Sequence, residues 1–349
     1  MSSGQWSVAS GQTYKPPFPW FGGKSRAASL IWERFGNVPN YVEPFFGSGA
    51  VLFLRPHAPK LETVNDKDGH LANFWRAVQA DPDGVARYAD WPINENDLHA
   101  RHLWLVTTGA ERVERLTTDP DYYDVKIAGW WVWGICQWIG SGWCRRALAV
   151  DDADAGNAGM GVHRQRPHLG NAGMGVHRQL PHLGNAGMGV HRQLPHLGNA
   201  GRGVDLVDYL RSLSDRLRRV RVCCGDWTRV LGPTPTEKNG ITGVLLDPPY
   251  DTRAGRVGGL YAVDTDVSAA VREWAIVHGD NPKLRIALCG YDGEHAMPDG
   301  WACVAWKAHG GYGSQGNGRG RANAGRERIW FSPHCLASAS DNEQAGLAV

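Results

Sequence analysis

Apolar positions along the chain alternate between two periods. Short apolar runs bounded by acids, glycines and prolines predict strands at Tyr41 to Glu43, in "LETVND" ending at Asn65 and Asp66, in "VRVCC", in "TGVLL" and in "LRIALCG". A closing pair, "WACVAWKAHG" and "RERIWFSP", joined by the Gly- and Arg-rich "GYGSQGNGRGRANAGR", predicts a long hairpin. Helical patterns fall between these runs: from Ser25, after the Gly47-Ser48-Gly49 turn, after Asp66, and near "DVSAAVREWAIVH". In "VDLVDYLRSLSDRLRRV", Leu206, Leu210, Leu213 and Leu217 recur as one buried helix face with arginines outside. Strands alternating with helices predict an α/β protein with a mostly parallel, doubly wound sheet.

From about residue 90 to 204 this pattern lapses. "DVKIAGWWVWGICQWIGSGWCRR" concentrates Trp130, Trp131, Trp133, Trp138 and Trp143 ahead of two arginines. As a helix it would be apolar nearly all round, which predicts the core of a second small domain; aromatics interleaved with basic residues could also stack on and clamp nucleic acid. Residues 156–203 repeat with a period of 14 residues, "GNAGMGVHRQLPHL" and its variants. Glycine-rich turns and a proline in each complete unit predict short extended pieces rather than a long helix. The array reads either as a solvated spacer or as an arm offering Arg164, Arg178 and Arg192 to DNA phosphates.

Composition narrows the field. At 349 residues the chain can hold one large or two medium domains, and a net charge of +2 neither demands nor excludes a nucleic-acid partner. Seven cysteines without a C-x-x-C pair suggest neither a disulfide framework nor a zinc site, and no metal is expected. A reducing cytoplasm fits this usage. No run is long and unbroken enough to predict a membrane span, and the amino terminus lacks a signal peptide's apolar core. The Gly-Gly-Lys-Ser at residues 22–25 is not a phosphate loop, because Phe18 stands where that motif needs glycine.

The strand ends carry the chemistry. In an open α/β sheet, ligands bind outside the carboxyl ends of the strands. Glu43, Asp66, Asp226 and Asp247 all stand there, and Gly47 and Gly49 form a tight turn into a helix. Asp66 also reads as a helix cap, a role compatible with accepting ribose hydroxyls. Such a crevice suits a nucleoside cofactor. S-adenosylmethionine is the natural candidate, since acids receive the ribose hydroxyls and the α-ammonium while the glycines admit the amino-acid part. The tetrapeptide Asp247-Pro248-Pro249-Tyr250 ends the strand "TGVLL" as a rigid loop, because two prolines fix φ and remove donors. A carboxylate and a backbone carbonyl there can accept both N–H bonds of an exocyclic base amine, freeing its lone pair for in-line attack on a sulfonium methyl. Tyr250 would stack on a base swung out of the duplex.

"PWFGGK", "YVEPFFGSGAVLF", "VNDKDGHLANFW" and "DPPY", in this order, resemble the Dam-type N6-adenine-specific DNA methyltransferases of prokaryotes and phages, with Ser48 where glycine is commoner. The resemblance runs from Pro19 to about Pro333, interrupted by the middle region. It implies a Rossmann-like methyltransferase sheet, double-stranded DNA as partner and S-adenosylmethionine as cofactor. It also implies catalytic roles for Asp247, Pro248, Pro249 and Tyr250, and cofactor roles for Trp20, Lys24, Glu43, Pro44, Phe45, Gly47, Gly49, Asp66, Asp226 and Asp247. The implied plan is a catalytic domain of residues 16–90 and 205–335 around an inserted, mainly helical and loop-rich target-recognition region, 91–204, with disordered tails at 1–15 and 336–349. RNA adenine or protein amide methylation, or a DNA-binding module with a decayed site, are the alternatives.

Overall fold

A computed structural model describes residues 14–20, 22–138, 142–144, 206–251, 267–306 and 325–337. Its centre is a seven-stranded sheet: β1 (Asn40–Glu43), β2 (Leu61–Asp66), β3 (Val220–Cys224), β4 (Thr242–Leu246), β5 (Leu284–Tyr291), β6 (Ala302–Ala305) and β7 (Glu327–Phe331). The spatial order is β3-β2-β1-β4-β5-β7-β6. The first five in that order pair in parallel, while β7 runs antiparallel between β5 and β6. The predicted doubly wound sheet and closing hairpin are both present.

The α-helices among the described residues are α1 (Ala28–Phe35), α2 (Ala50–Phe53), α3 (Gly69–Ala80), α4 (Pro82–Ala89), α5 (Glu95–Trp104), α6 (Ala110–Val113), α7 (Val125–Gln137), α8 (Leu206–Leu217), α9 (Pro233–Glu237) and α10 (Ser268–His278). Side chains alternate across a strand, so the two faces of the sheet feed two cores. Tyr41, Leu245, Ala287 and Cys289 point into the larger core, with residues of α1 to α5, α7 and α8. Val42, Val244, Leu246, Ile286 and Leu288 point into a smaller one, against Val271 and Ala275 of α10. Both β1 and β4 are buried along their whole length, with apolar Tyr41-Val42 and Val244-Leu245-Leu246 at their centres and ends and polar Asn40, Glu43 and Thr242 buried beside them. The leucine face predicted for α8 is buried at all four positions.

The tryptophan-rich segment departs from its expectation of a separate small domain. Asp124 caps α7 by accepting from Lys126 and Ile127 N–H, and Asn73 of α3 exchanges two hydrogen bonds with the Asp124 backbone, at 2.8 and 2.9 Å. Trp131 then meets the rings of Phe18 (5.1 Å) and Phe74 (5.8 Å) inside the larger core. A helix apolar nearly all round satisfies itself by packing against α3, α4 and α5 in one helical layer.

The edges of the described chain also differ from the expected tails. Tyr14 donates its backbone N–H to Phe53 O (3.1 Å), and Leu336 donates to Arg34 O (2.8 Å), so both residues are tied to the core. The repeats at 156–203 lie outside the described residues, as do residues 1–13 and 338–349 and most of the β6–β7 connection. No described helix is long and apolar enough to cross a membrane.

Candidate active site

The sheet grows from β1 in both directions, toward β2 and β3 on one side and toward β4 on the other. Between β1 and β4 the carboxyl-end loops therefore part and leave a crevice. A cleft of about 890 Å³, counting its solvent-open mouth, lies there. Its walls carry Trp20, Lys24, Glu43, Pro44, Phe45, Gly47, Asp66, Asp226, Asp247 and Pro249. Among the expected site residues, Gly49, Pro248 and Tyr250 do not line it.

The glycine turn is built from three sides. Gly47 and Gly49 adopt φ of 50° and 70°, values that favour glycine. A Cβ on Gly47 would lie 2.4 Å from Trp20 Nε1, and one on Gly49 would lie 2.7 Å from Phe46 and Phe53. A side chain at Gly47 would thus meet Trp20, whose indole covers the turn. Gly47 N–H donates to Asp66 Oδ2 (3.1 Å), and Asp66 Oδ1 accepts from Asp68 N–H (3.0 Å). Asp66 is consequently the anchor of the turn, and the cap of α3 is Asp68 instead. Burial pushes the Asp66 carboxyl up to about 7, against the opposing pull of those backbone donors.

Asn65 joins the two walls. Its Nδ2 donates to Pro44 O (3.1 Å) and to Gly225 O (3.0 Å), which fixes the loops after β1 and β3 relative to each other. Those loops carry Phe45 and Trp227, whose rings lie near parallel, 27° apart, with centroids 6.3 Å apart. Asn65 Oδ1, buried in the wall, has no hydrogen-bond partner among the described residues. Asp226 caps the short turn Trp227–Val230 through Thr228, and those bonds lower its carboxyl below the ordinary range.

The second half of the site surrounds Lys24. Its Nζ donates to Asp247 Oδ1 (2.8 Å) and to Gly22 O (2.8 Å). Burial is the largest influence on the Lys24 ammonium and would lower it, but Asp247, Cys289 and Glu327 together outweigh it and raise the group. Burial also pushes Asp247 upward, with Lys24 restraining the shift. Glu43 accepts from Tyr41 Oη (2.9 Å) and is driven well above the carboxylate range by its burial. Tyr250 Oη donates to Glu327 Oε2 (2.9 Å), and Glu327 is likewise raised by burial. One buried ammonium is therefore paired with Asp247 and lies within electrostatic reach of Glu327, among carboxyl groups that burial raises.

Reading the sequence missed Asn65, Trp227 and Glu327 as site residues. Trp227 directly follows an expected acid, a signal that could have found it. Glu327 sits in "RERIWF", where strand pairing alone brings it to the site. Among the described residues, no group of three or more His, Cys, Asp or Glu is placed to hold a metal.

The sheet order and its switch-point cleft are those of a Rossmann-like methyltransferase fold. Residues 20–103 match the family described as D12 class N6 adenine-specific DNA methyltransferase, a stretch that holds Trp20, Lys24, Glu43, Gly47, Gly49 and Asp66. The chain is also 36% identical over 77 residues to the type II methyltransferase M.MjaIII of Methanocaldococcus jannaschii, covering 20% of this chain and 27% of that protein's length. Asp247 to Tyr250 lie outside the family match, so their place in the cleft rests on the geometry.

Proposed function

We propose that the protein transfers a methyl group from S-adenosylmethionine to the N6 amino group of adenine in double-stranded DNA. The supporting observation is the meeting of Asp247, the Gly47 turn and Asp66 in one switch-point cleft. Its donor set fits the cofactor. Acids outnumber Lys24 and Lys67 on the walls, which suits a ligand with sulfonium and ammonium charges, and Asn65 Oδ1 offers a buried acceptor. Trp20, Glu43, Pro44 and Gly47 would hold the amino-acid part, Asp66 the ribose hydroxyls, and Phe45, Asp226 and Trp227 the base. Bound there, the cofactor supplies an electrophilic methyl group.

Asp247 and the Pro248 carbonyl accept the two N–H bonds of the adenine amine, which draws the nitrogen toward tetrahedral geometry and frees its lone pair. Lys24 opposes the rise that burial imposes on Asp247 and so favours the carboxylate, the form that accepts. The prolines hold these acceptors still, and Tyr250 gives the flipped base a stacking partner. The catalytic domain is assigned residues 16–90 and 205–335, and target reading residues 91–204, with α7 serving the catalytic core. A cytoplasmic location belongs to the same reading.

The test is transfer of labelled methyl from S-adenosylmethionine to duplex DNA, RNA and protein in parallel, followed by detection of N6-methyladenine. Label in DNA adenine is expected. Label only in RNA or protein would overturn the substrate, and DNA binding without any transfer would mark a decayed module.

A further inference from the structure

We infer that Glu327, on the antiparallel strand β7, is a positioning residue that holds Tyr250 and, through it, the Asp247–Tyr250 loop; this rests on the methyl-transfer reading above. Two contacts constrain the tyrosine in complementary ways. The bond from Tyr250 Oη to Glu327 Oε2 (2.9 Å) lies on the ring axis and stops the side chain from swinging. An edge-on contact with the Tyr291 ring, at 4.7 Å and 77°, stops the ring from spinning about that axis. Tyr291 and Glu327 are themselves partners in the β5–β7 register, so a single rung of the sheet supplies both constraints.

The rest of the loop is secured by other groups. Prolines stiffen its middle, and at its exit Asp251 N–H donates to Glu294 Oε1 (2.8 Å) while Glu294 Oε2 accepts from Tyr291 N–H (2.9 Å). The phenol end is where Glu327 acts. Ile329 and Phe331, which share its face of β7, are fully buried hydrophobics, and packing alone would favour another at 327. A buried carboxylate is costly unless it is paired. Here its partners are the Tyr250 hydroxyl and, electrostatically, Lys24, whose Nζ also stands 5.2 Å from the Tyr250 ring centroid. Glu327 thus connects the hairpin to the two groups that flank Asp247, without reaching the cleft itself.

The experiment compares steady-state methylation of duplex DNA by wild type, Glu327→Ala, Glu327→Gln, Tyr250→Phe and the Glu327→Ala/Tyr250→Phe double variant, with cofactor affinity by calorimetry and thermal unfolding alongside. Glu327→Ala should lower kcat about a hundredfold through misplacement of the loop, with cofactor Kd within about twofold of wild type. Glu327→Gln, whose amide oxygen still accepts from the phenol, should recover to within about fivefold of wild type. Tyr250→Phe, which also removes the hydroxyl's hydrogen bond with Asp247, should be at least as slow as Glu327→Ala, and the double variant should be no slower than Tyr250→Phe alone. Losses that multiply in the double variant would overturn the inference, as would lowered Tm with unchanged kcat. If Glu327→Ala does not fold, a slow Tyr250→Phe beside a near-normal Glu327→Gln supports it, and the reverse pattern overturns it. Wild type that transfers no methyl to DNA overturns the parent reading; active wild type with an unaffected Glu327→Ala overturns this inference alone.

Discussion

Two buried ionic clusters sit at opposite ends of the same sheet, and their charge balance differs. Near the amino end of β2, Glu62 is held between Arg55 and Arg216. Its Oε1 accepts from Arg55 (3.0 Å) and Arg216 (2.9 Å), and its Oε2 accepts from Arg216 (2.6 Å). Each arginine also donates to a backbone carbonyl, Val38 for Arg55 and Leu52 for Arg216. At the carboxyl end, Lys24 pairs with Asp247 and acts on Glu327, Glu43 lines the same cleft, and all three acids are pushed up by burial. The first cluster satisfies its acid from within the protein and fastens β2 to α8 and to the segment after α2. The second has a single cation among several buried carboxyl groups, whose neutral forms burial favours, an arrangement in which a cationic ligand would favour their ionised forms.

The sharpest way to separate the two is to remove one acid from each. Glu62→Ala should destabilise the fold by about 3–5 kcal/mol, because two buried guanidinium groups lose their counter-charge. Denaturant titration reads this, and a change under 1 kcal/mol on that approximate scale would mean the cluster is redundant. Asp247→Ala should instead lower methyl transfer by about 10²–10³-fold while leaving the unfolding midpoint comparatively unmoved. Asp247→Asn should retain part of the rate, since an amide oxygen still accepts one bond. A variant that is merely unstable, with normal activity per folded molecule, would place Asp247 with Glu62 as a structural acid.

Acidity gives a finer test. Asp66 has its folded value raised to about 7. An acid raised in this way opposes folding at pH above that value, and the penalty is removed as pH falls through 7 toward the ordinary aspartate value near 4. Ribose hydroxyls, however, donate to the carboxylate, so cofactor affinity should fall as pH drops below about 7, at a limit of about tenfold per unit. Calorimetry from pH 8 to 5.5 on wild type and Asp66→Asn isolates the effect, the variant being weaker and flatter. A parallel decline in both would exclude Asp66 as the titrating group. The smallest expected effect is at Trp227: its replacement by Ala should weaken cofactor binding by about 0.5–1.5 kcal/mol through loss of an aromatic face. Unchanged affinity would leave the Phe45–Trp227 pair as packing.

Those differences also mark what the sequence made legible. The strand ends were readable because β1 and β4 are buried on both faces and stop at acids and prolines, so Glu43, Asp66 and Asp247 could be placed together before any coordinates. Gly47 was readable as a turn, but its covering by Trp20 was not, because that contact joins separate segments through three-dimensional packing. The tryptophans of α7 were misread as a second domain, since an apolar helix announces burial without saying against what. Glu327 and Asn65 were missed for a similar reason. One depends on which strand lies beside β5, and the other on carbonyls of two loops that local sequence does not connect.

The strand order has a consequence for the timing of synthesis. Strand β7 lies between β5 and β6, although it is made after both. While β6 emerges it has no neighbour in the sheet to pair with, and Glu327 does not yet exist to meet Tyr250. Lys24 and Asp247 can find each other earlier, but the hairpin locks only after the nascent chain has passed residue 331. A ribosome-bound or truncated product ending short of β7 is therefore expected to carry the cleft without the Asp247–Tyr250 loop secured through Glu327, so that this restraint arrives only once β7 has been made.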